Sequence, residues 1–182
     1  MTIRDDRREA AIDRMADHIV AHGLGSASLR ALARTAGTSD RMLLYYFRDK
    51  EELLAATLGR IAERLLGQLD AALPATPARP FARLLDEVWH ALSASAAQPA
   101  MHLWLEIASG AARGEMMYRT LAGPIADGFL AWVATRLAVG PGQDHARMSA
   151  LLLATVEGLL VLEAVGRRTM SETAVAAARD LA

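Results

Sequence analysis

Two apolar helical patterns, each barely two turns long, meet at a single glycine within residues 28–47. Ser28 is a good N-cap, because its hydroxyl can accept from a free backbone N–H of the turn that follows. Leu29, Leu32, Ala33 and Ala36 then share one face, and Gly37 supplies a left-handed stop. Ser39 can cap the second pattern, residues 40–47, in which Leu43 and Phe47 point inward four apart beside Leu44. Ala33 is small where the two helices approach, and Leu43 packs back onto the first of the pair. Upstream, Ile12, Met15, Ala16 and Ile19 fall at i, i+3, i+4 and i+7 of another helix, which Gly23 ends. Three helices therefore fill the first 47 residues.

The rest of the chain is also helical by pattern. Leu53, Leu54, Leu58, Ile61, Leu65 and Leu69 make the apolar stripe of a long helix over residues 50–72. Pro74, Pro77 and Pro80 then remove donors and fix φ, so residues 73–80 are a loop. Helices follow over 81–97 and 98–112, with Pro99 in the first turn of the latter, where a missing N–H costs least. Gly114 separates these from residues 115–139, which Gly123-Pro124 should break or kink. Gly140-Pro141-Gly142 is the clearest turn, ahead of a helix over 145–166. Arg167-Arg168 suit the negative end of that helix dipole, and the pattern predicts a final helix capped by Ser171, with Glu172 in its first turn. Ala and Leu fill 65 of the 182 positions while β-branched and aromatic residues are few, so the expected fold is all-α. It divides into a three-helix domain over residues 1–49, containing the helix-turn-helix, and a larger helical domain over 50–182.

Charge and cysteine content exclude several classes of function. Lys+Arg is 20 and Asp+Glu is 21, so any binding to nucleic acid is local rather than a product of overall basicity. Residues 1–50 carry nine basic and seven acidic side chains, a small bias of the right sign. With no Cys there are no disulfides, thiolate metal sites or cysteine nucleophiles, in keeping with a reducing compartment, and the expected location is the cytoplasm. The N-terminus lacks the apolar run of a secretory signal. Residues 148–166 have membrane-spanning length but carry Glu157 and Glu163, so no membrane partner is expected. A helix apolar nearly all round needs cover on two sides, and a second copy of the chain is the economical cover for one of them. The expected homodimer forms through helices around residues 115–139 and 145–166.

A short helix, a glycine turn and a second short helix is the unit whose second helix fits a DNA major groove. Ser28-Leu29-Arg30-Ala31-Leu32-Ala33-Arg34-Thr35-Ala36-Gly37-Thr38-Ser39, then Leu43-Leu44-Tyr45-Tyr46-Phe47 and Lys50-Glu51-Glu52-Leu53-Leu54, resemble the N-terminal domain of the tetracycline-repressor (TetR) family. The match covers about residues 8–58. Beyond it the chain resembles the family only in length, helicity and an apolar late helix. Two positions depart from the family pattern: Leu44 stands where an aromatic is usual, and Arg48 where a proline or small residue is usual.

The resemblance implies roles for individual residues. Ser28 and Ser39 are helix caps whose neighbouring free N–H groups are also natural phosphate ligands. Arg30 and Arg34 lie on the outer face of the second helix, where Arg30 can meet phosphate or a guanine edge. Asp40, Arg41 and Met42 occupy the exposed start of the recognition helix, where the family reads bases. A guanidinium binds guanine N7 and O6 together, which makes Arg41 the leading base reader; Asp40 can accept from cytosine N4 or simply stabilise the helix start, and Met42 can touch a thymine methyl. Tyr45 matches a family phosphate contact. Tyr46 either joins it or packs into the small core. Lys50 resembles the family lysine that grips phosphate at the start of the fourth helix. Arg48 and, against acidic neighbours, Arg4, Arg7 and Arg8 are further phosphate candidates.

Family members typically hold a small-molecule effector in the second domain. Trp89, His90, Met101, His102, Trp104, Leu105, Met116, Met117, Tyr118, Phe129 and Trp132 are the candidates to line a mostly apolar site, although Met and aromatic residues at helical spacing are more often plain core. His102 and Glu106 are four apart, but two ligands do not make a metal site and a hydrogen-bonded pair is the simpler reading. No metal and no cofactor is expected. The expected partners are double-stranded DNA bearing a palindromic operator, a small-molecule effector and a second copy of the chain, and the expected role is repression. A DNA-binding dimer without a ligand is the alternative. A helical enzyme is the other rival, but the sequence has no activated nucleophile, phosphate-cradling glycine loop or His-Glu-x-x-His helix.

Overall fold

Serine caps and left-handed glycines divide the N-terminal third of the chain into helices where the sequence leads one to expect them. The computed structural model describes residues 3–180; Met1, Thr2, Leu181 and Ala182, which the expected domain bounds include, lie outside the described residues. Nine α-helices are present among these: α1 (Ile3–His22), α2 (Leu29–Thr35), α3 (Asp40–Tyr46), α4 (Lys50–Ala72), α5 (Phe81–Ser93), α6 (Gln98–Ala112), α7 (Met116–Ala134), α8 (His145–Ala164) and α9 (Arg168–Asp180). A single 3-10 turn, Leu24–Ser26, follows α1. The fold is all-α, and the only extended pairing among the described residues is an isolated bridge between Arg79 and Leu137.

The chain forms two compact units. The first comprises Met1–Arg64 with Glu106–Ala122. Ile12, Met15, Ala16 and Ile19 of α1, Leu32 and Ala33 of α2, Leu43 of α3 and Leu53, Leu54 and Leu58 of α4 are among its buried apolar side chains, together with Phe47. Acidic residues spaced four apart on α1 meet arginines spaced four apart on α4. Arg60 donates to Glu9 and Asp13, and Arg64 donates to Asp13 at 2.8 Å and Asp17 at 2.6 Å. Partial burial alone would raise the Asp13 pKa, but the hydrogen bonds and charges of the two arginines outweigh it and hold the carboxyl below its ordinary value. On α6, Gly110 has no room for a Cβ, which would sit 2.4 Å from the Tyr118 ring.

The second unit comprises Leu65–Leu105 with Gly123–Ala182. Here α5, α8 and α9 pack on one another, burying Leu84, Leu85, Val88, Leu152, Val156, Leu159, Leu160 and Val175. Trp132 donates its indole N–H to Asp70 Oδ1 at 2.7 Å. Arg136, 6% exposed, stacks over the Trp132 ring at 4.1 Å, donates Nε to the Leu73 carbonyl at 2.7 Å and reaches Asp70.

Four details differ from the sequence reading. The helix expected over 81–97 ends at Ser93, where Ala94 turns extended with ψ 145. Of the break or kink expected at Gly123-Pro124, the break does not occur: α7 runs through Pro124 and stops at Ala134 rather than at 139. A proline forfeits one backbone bond, and the buried Leu121, Trp132 and Val133 anchor the helix on either side of it. Ser171 is not a cap: α9 begins at Arg168, and the fully buried Ser171 hydroxyl donates to the Leu159 carbonyl at 3.2 Å, tying α9 to α8. Arg168 opens α9 and pairs with Glu163 of α8 at 3.0 Å.

Candidate nucleic-acid interface

Both short helices begin on the serines that the pattern marks. Ser28 Oγ accepts from the Ala31 N–H at 3.2 Å and Ser39 Oγ from the Met42 N–H at 3.3 Å, each at the third helical position. Between them α2 closes with Gly37 at φ 71; the Thr38 N–H returns to the Ala33 carbonyl at 2.9 Å, a Schellman closure. Arg14 of α1 donates to the Ala36 carbonyl at 2.9 Å, so an arginine from the preceding helix covers the free carbonyl end of α2. Nothing in the sequence pattern marks Arg14 for this role, because the contact joins residues 22 apart.

This framework sets the facing of α3. Leu43 and Phe47 are buried at 0% and 1% exposure, which turns Asp40, Arg41, Met42, Leu44 and Tyr45 outward. Tyr46 is half-buried and meets Tyr45 edge-on, ring centroids 5.7 Å apart. Arg30 and Arg34 are exposed on α2, and Lys50 is exposed as the first residue of α4. Asp49 and Glu52 hold that helix start with one side-chain bond each: the Glu52 N–H donates to Asp49 Oδ1, and the Arg48 N–H donates to Glu52 Oε2, both at 2.8 Å. The Glu52 N–H, and then the Arg48 guanidinium, hold the Asp49 carboxyl below its ordinary value. These acids neutralise the start of α4 without covering Lys50.

Of the α1 arginines, Arg4 lies over the Tyr45 ring at 4.7 Å and donates to the Tyr45 carbonyl at 3.4 Å. Arg8 stacks over Phe47 at 4.7 Å and pairs with Glu9 at 3.0 Å, so its charge is engaged inside the unit. Arg7 is exposed.

The effector candidates separate into two groups. Trp89, Met101 and Trp132 are buried in one apolar cluster of the second unit, with Trp104 and Phe129 packed against it; Leu105 is half-buried, and His90 and His102 are exposed. Met116, Met117 and Tyr118 belong to the first unit, where Met116 is 69% exposed and Tyr118 lies against Gly110. Glu106 accepts from the Leu24 N–H at 3.1 Å. Among the described residues no group of three His, Asp or Glu is placed to hold a metal ion. Glu157, a polar residue of the second unit that the sequence pattern does not mark as a candidate, accepts from the Trp104 indole N–H through Oε2 at 2.6 Å.

The family model described as bacterial regulatory proteins, tetR family, matches residues 13–57. The chain is 28% identical over 180 residues to the HTH-type transcriptional regulator BetI of Rhizobium meliloti (strain 1021), covering 96% of this chain and 86% of that protein. To BetI of Pseudomonas fluorescens it is 41% identical over 59 residues, 32% of this chain and 30% of that protein, so this match spans less than a third of the relative's length. The crystal structure of a TetR-family transcriptional regulator from Cytophaga hutchinsonii superposes with a TM-score of 0.73 at 19% identity, over 100% of this chain and 95% of that one, which establishes likeness of fold.

Proposed function

We propose that this chain, a member of the tetR family and so a DNA-binding transcriptional regulator and not an enzyme, is a repressor that binds a palindromic operator as a homodimer and leaves it when a small, mostly apolar effector binds. The observation that carries the reading is the two-sidedness of α3: Leu43 and Phe47 anchor one face, while Arg41, Met42 and Tyr45 are exposed on the other, with the capped start of α2 and Lys50 at the start of α4 also exposed. Such a helix can lie in a major groove, with Arg41 on a guanine and Ser28, Tyr45 and Lys50 on the flanking phosphates.

The assignments follow the sequence: residues 1–49 bind DNA, and residues 50–182 dimerise and hold the effector in the apolar cluster that includes Trp89, Met101, Trp104, Phe129 and Trp132. The α8 helix supports the dimer. It is long and apolar enough to cross a membrane by length and composition, yet Leu151, Val161 and Val165 are 52%, 51% and 65% exposed, an apolar face that a second copy can cover. Two recognition helices then enter successive major grooves about 34–36 Å apart. The effector acts by population shift, favouring the spacing to which it binds more tightly. The location is the cytoplasm, where the operator is.

Selection of bound duplexes from a random pool at fixed salt tests the reading. The expected product is a palindrome with half-sites one helical turn apart; no enrichment by folded protein at low salt overturns it. On the selected operator, Arg41→Ala is expected to lose about 1–3 kcal/mol and to relax preference at one base position. An equal loss across all operator variants would make Arg41 a phosphate contact instead.

A further inference from the structure

Eight large apolar side chains are exposed among the described residues, and three of them fall within four consecutive positions of α3: Met42, Leu44 and Tyr45, at 38%, 47% and 59%. Tyr45 carries the Arg4 guanidinium over its ring and meets Tyr46 edge-on. Leu44 is the odd member. An apolar pattern alone would bring it inside with Leu43 and Phe47, yet those two are buried while Leu44 is left in solvent. Asp40, Arg41 and Arg48, three and four positions from it along the chain, are charged and exposed, so Leu44 is an apolar island among polar side chains. A single exposed leucine elsewhere on a protein needs no explanation. On a helix that enters a groove it loses its water when DNA binds, and its new neighbour then decides whether that loss is favourable.

The major groove restricts that neighbour. A phosphate oxygen offers an apolar side chain nothing, and guanine, adenine and cytosine mark their edges there with hydrogen-bonding groups. The thymine 5-methyl is the apolar group of the groove that carries sequence information. The charges of α3 agree with this. Asp40 and Arg41 are opposite in sign, so the helix brings no net charge to the groove, and its other exposed side chains are Met42, Leu44 and Tyr45.

We propose that Leu44 is a base-reading residue whose partner is a thymine methyl group in each operator half-site. The inference rests on the reading of α3 as the helix that enters the major groove, and adds to it a residue and the base feature that residue takes. Leu44 is three positions beyond Arg41, about 4.5 Å along the helix, and successive base pairs are about 3.4 Å apart, so the thymine is expected within about two base pairs of the guanine at Arg41.

The test uses full-length protein and the operator recovered by duplex selection. Each symmetry-related pair of thymines is replaced in turn by deoxyuridine, which removes the methyl group and keeps every hydrogen-bonding group, and dissociation constants are measured at fixed salt. Burying one methyl group is worth about fourfold in affinity, so at one pair the native protein is expected to bind about fifteenfold more weakly. Leu44→Ala should weaken binding to the unmodified operator by a similar factor and lose the deoxyuridine penalty at that pair. Leu44→Met, apolar and of similar size, should keep it. Leu44 is exposed and alanine is a good helix former, so Leu44→Ala should melt within about 2 °C of the native protein. The deoxyuridine scan of the native protein needs no variant at all. An operator without thymine, no response at any thymine, or a response that Leu44→Ala leaves unchanged at every position overturns the inference; in the last case Met42 is the reader. Selection that recovers no operator fails the regulator reading and takes the inference with it, whereas a recovered operator without a Leu44-dependent thymine removes the inference alone.

Discussion

Phe47→Ala is expected to destabilise the N-terminal unit by about 3–5 kcal/mol, the range for emptying a buried aromatic site, and to abolish operator binding. Phe47 is 1% exposed at the C-terminal end of α3, its N–H closes that helix on the Leu43 carbonyl at 2.8 Å, and Arg8 lies over its ring. Its loss removes the anchor that turns Arg41 outward and leaves a helix of seven residues to hold itself, which so short a helix cannot do in water. Urea denaturation followed by circular dichroism measures the first effect and duplex binding the second. Tyr45→Ala is the control: that side chain is 59% exposed, so stability should stay within about 0.5 kcal/mol while DNA affinity falls. Equal stability losses in the two variants would contradict the assignment of faces on α3.

The second large effect is expected at Arg136→Met, which keeps length and apolar contact but removes the charge and its donors. Arg136 satisfies the Leu73 carbonyl, the Trp132 carbonyl at 3.1 Å and Asp70 with one planar group. Asp70 is 56% exposed and can turn to water, so the cost arises mainly from the stranded Leu73 carbonyl and the lost stacking on Trp132. About 2–3 kcal/mol is expected, a fall in melting temperature of roughly 5–10 °C. Arg136→Lys should recover little of it, because an ammonium cannot span the same acceptors in a fork. A melting temperature within 1 °C of the native protein would show that water replaces the guanidinium.

The readable parts of this chain are those governed by neighbours in sequence. Ser28, Ser39, Gly23 and Gly37 act through bonds three to five residues away, so the boundaries of α2 and α3 follow from the pattern. The run Ala94-Ser95-Ala96-Ala97 continues a helical composition with no stop signal, and only the backbone reveals that α5 has ended. Ser171 has the sequence context of a cap, but its partner is twelve residues back on another helix. The start of α4 was readable in principle, since Asp49 and Glu52 have the spacing of a capping pair. At the candidate sites, the outward residues of α3 could be assigned by elimination once Leu43 and Phe47 were placed inside. Glu157 could not, because a glutamate in an apolar helix first counts as evidence against a membrane span, and its indole partner lies 53 residues away.

The ladder of Glu9, Asp13 and Asp17 against Arg60 and Arg64 bears on how the stability of the N-terminal unit responds to ionic strength. Its side chains are 22–71% exposed, so added salt weakens these pairs inside the protein at the same time as it competes for phosphates. The pairs are internal to the folded unit and common to free and DNA-bound protein, so the slope of log affinity against log salt is left to the phosphate contacts, and Asp17→Asn, far from the recognition helix in sequence, should change the salt dependence of stability without changing that slope. The salt dependence of unfolding and the salt dependence of DNA affinity thus report two separate sets of charges in one small unit.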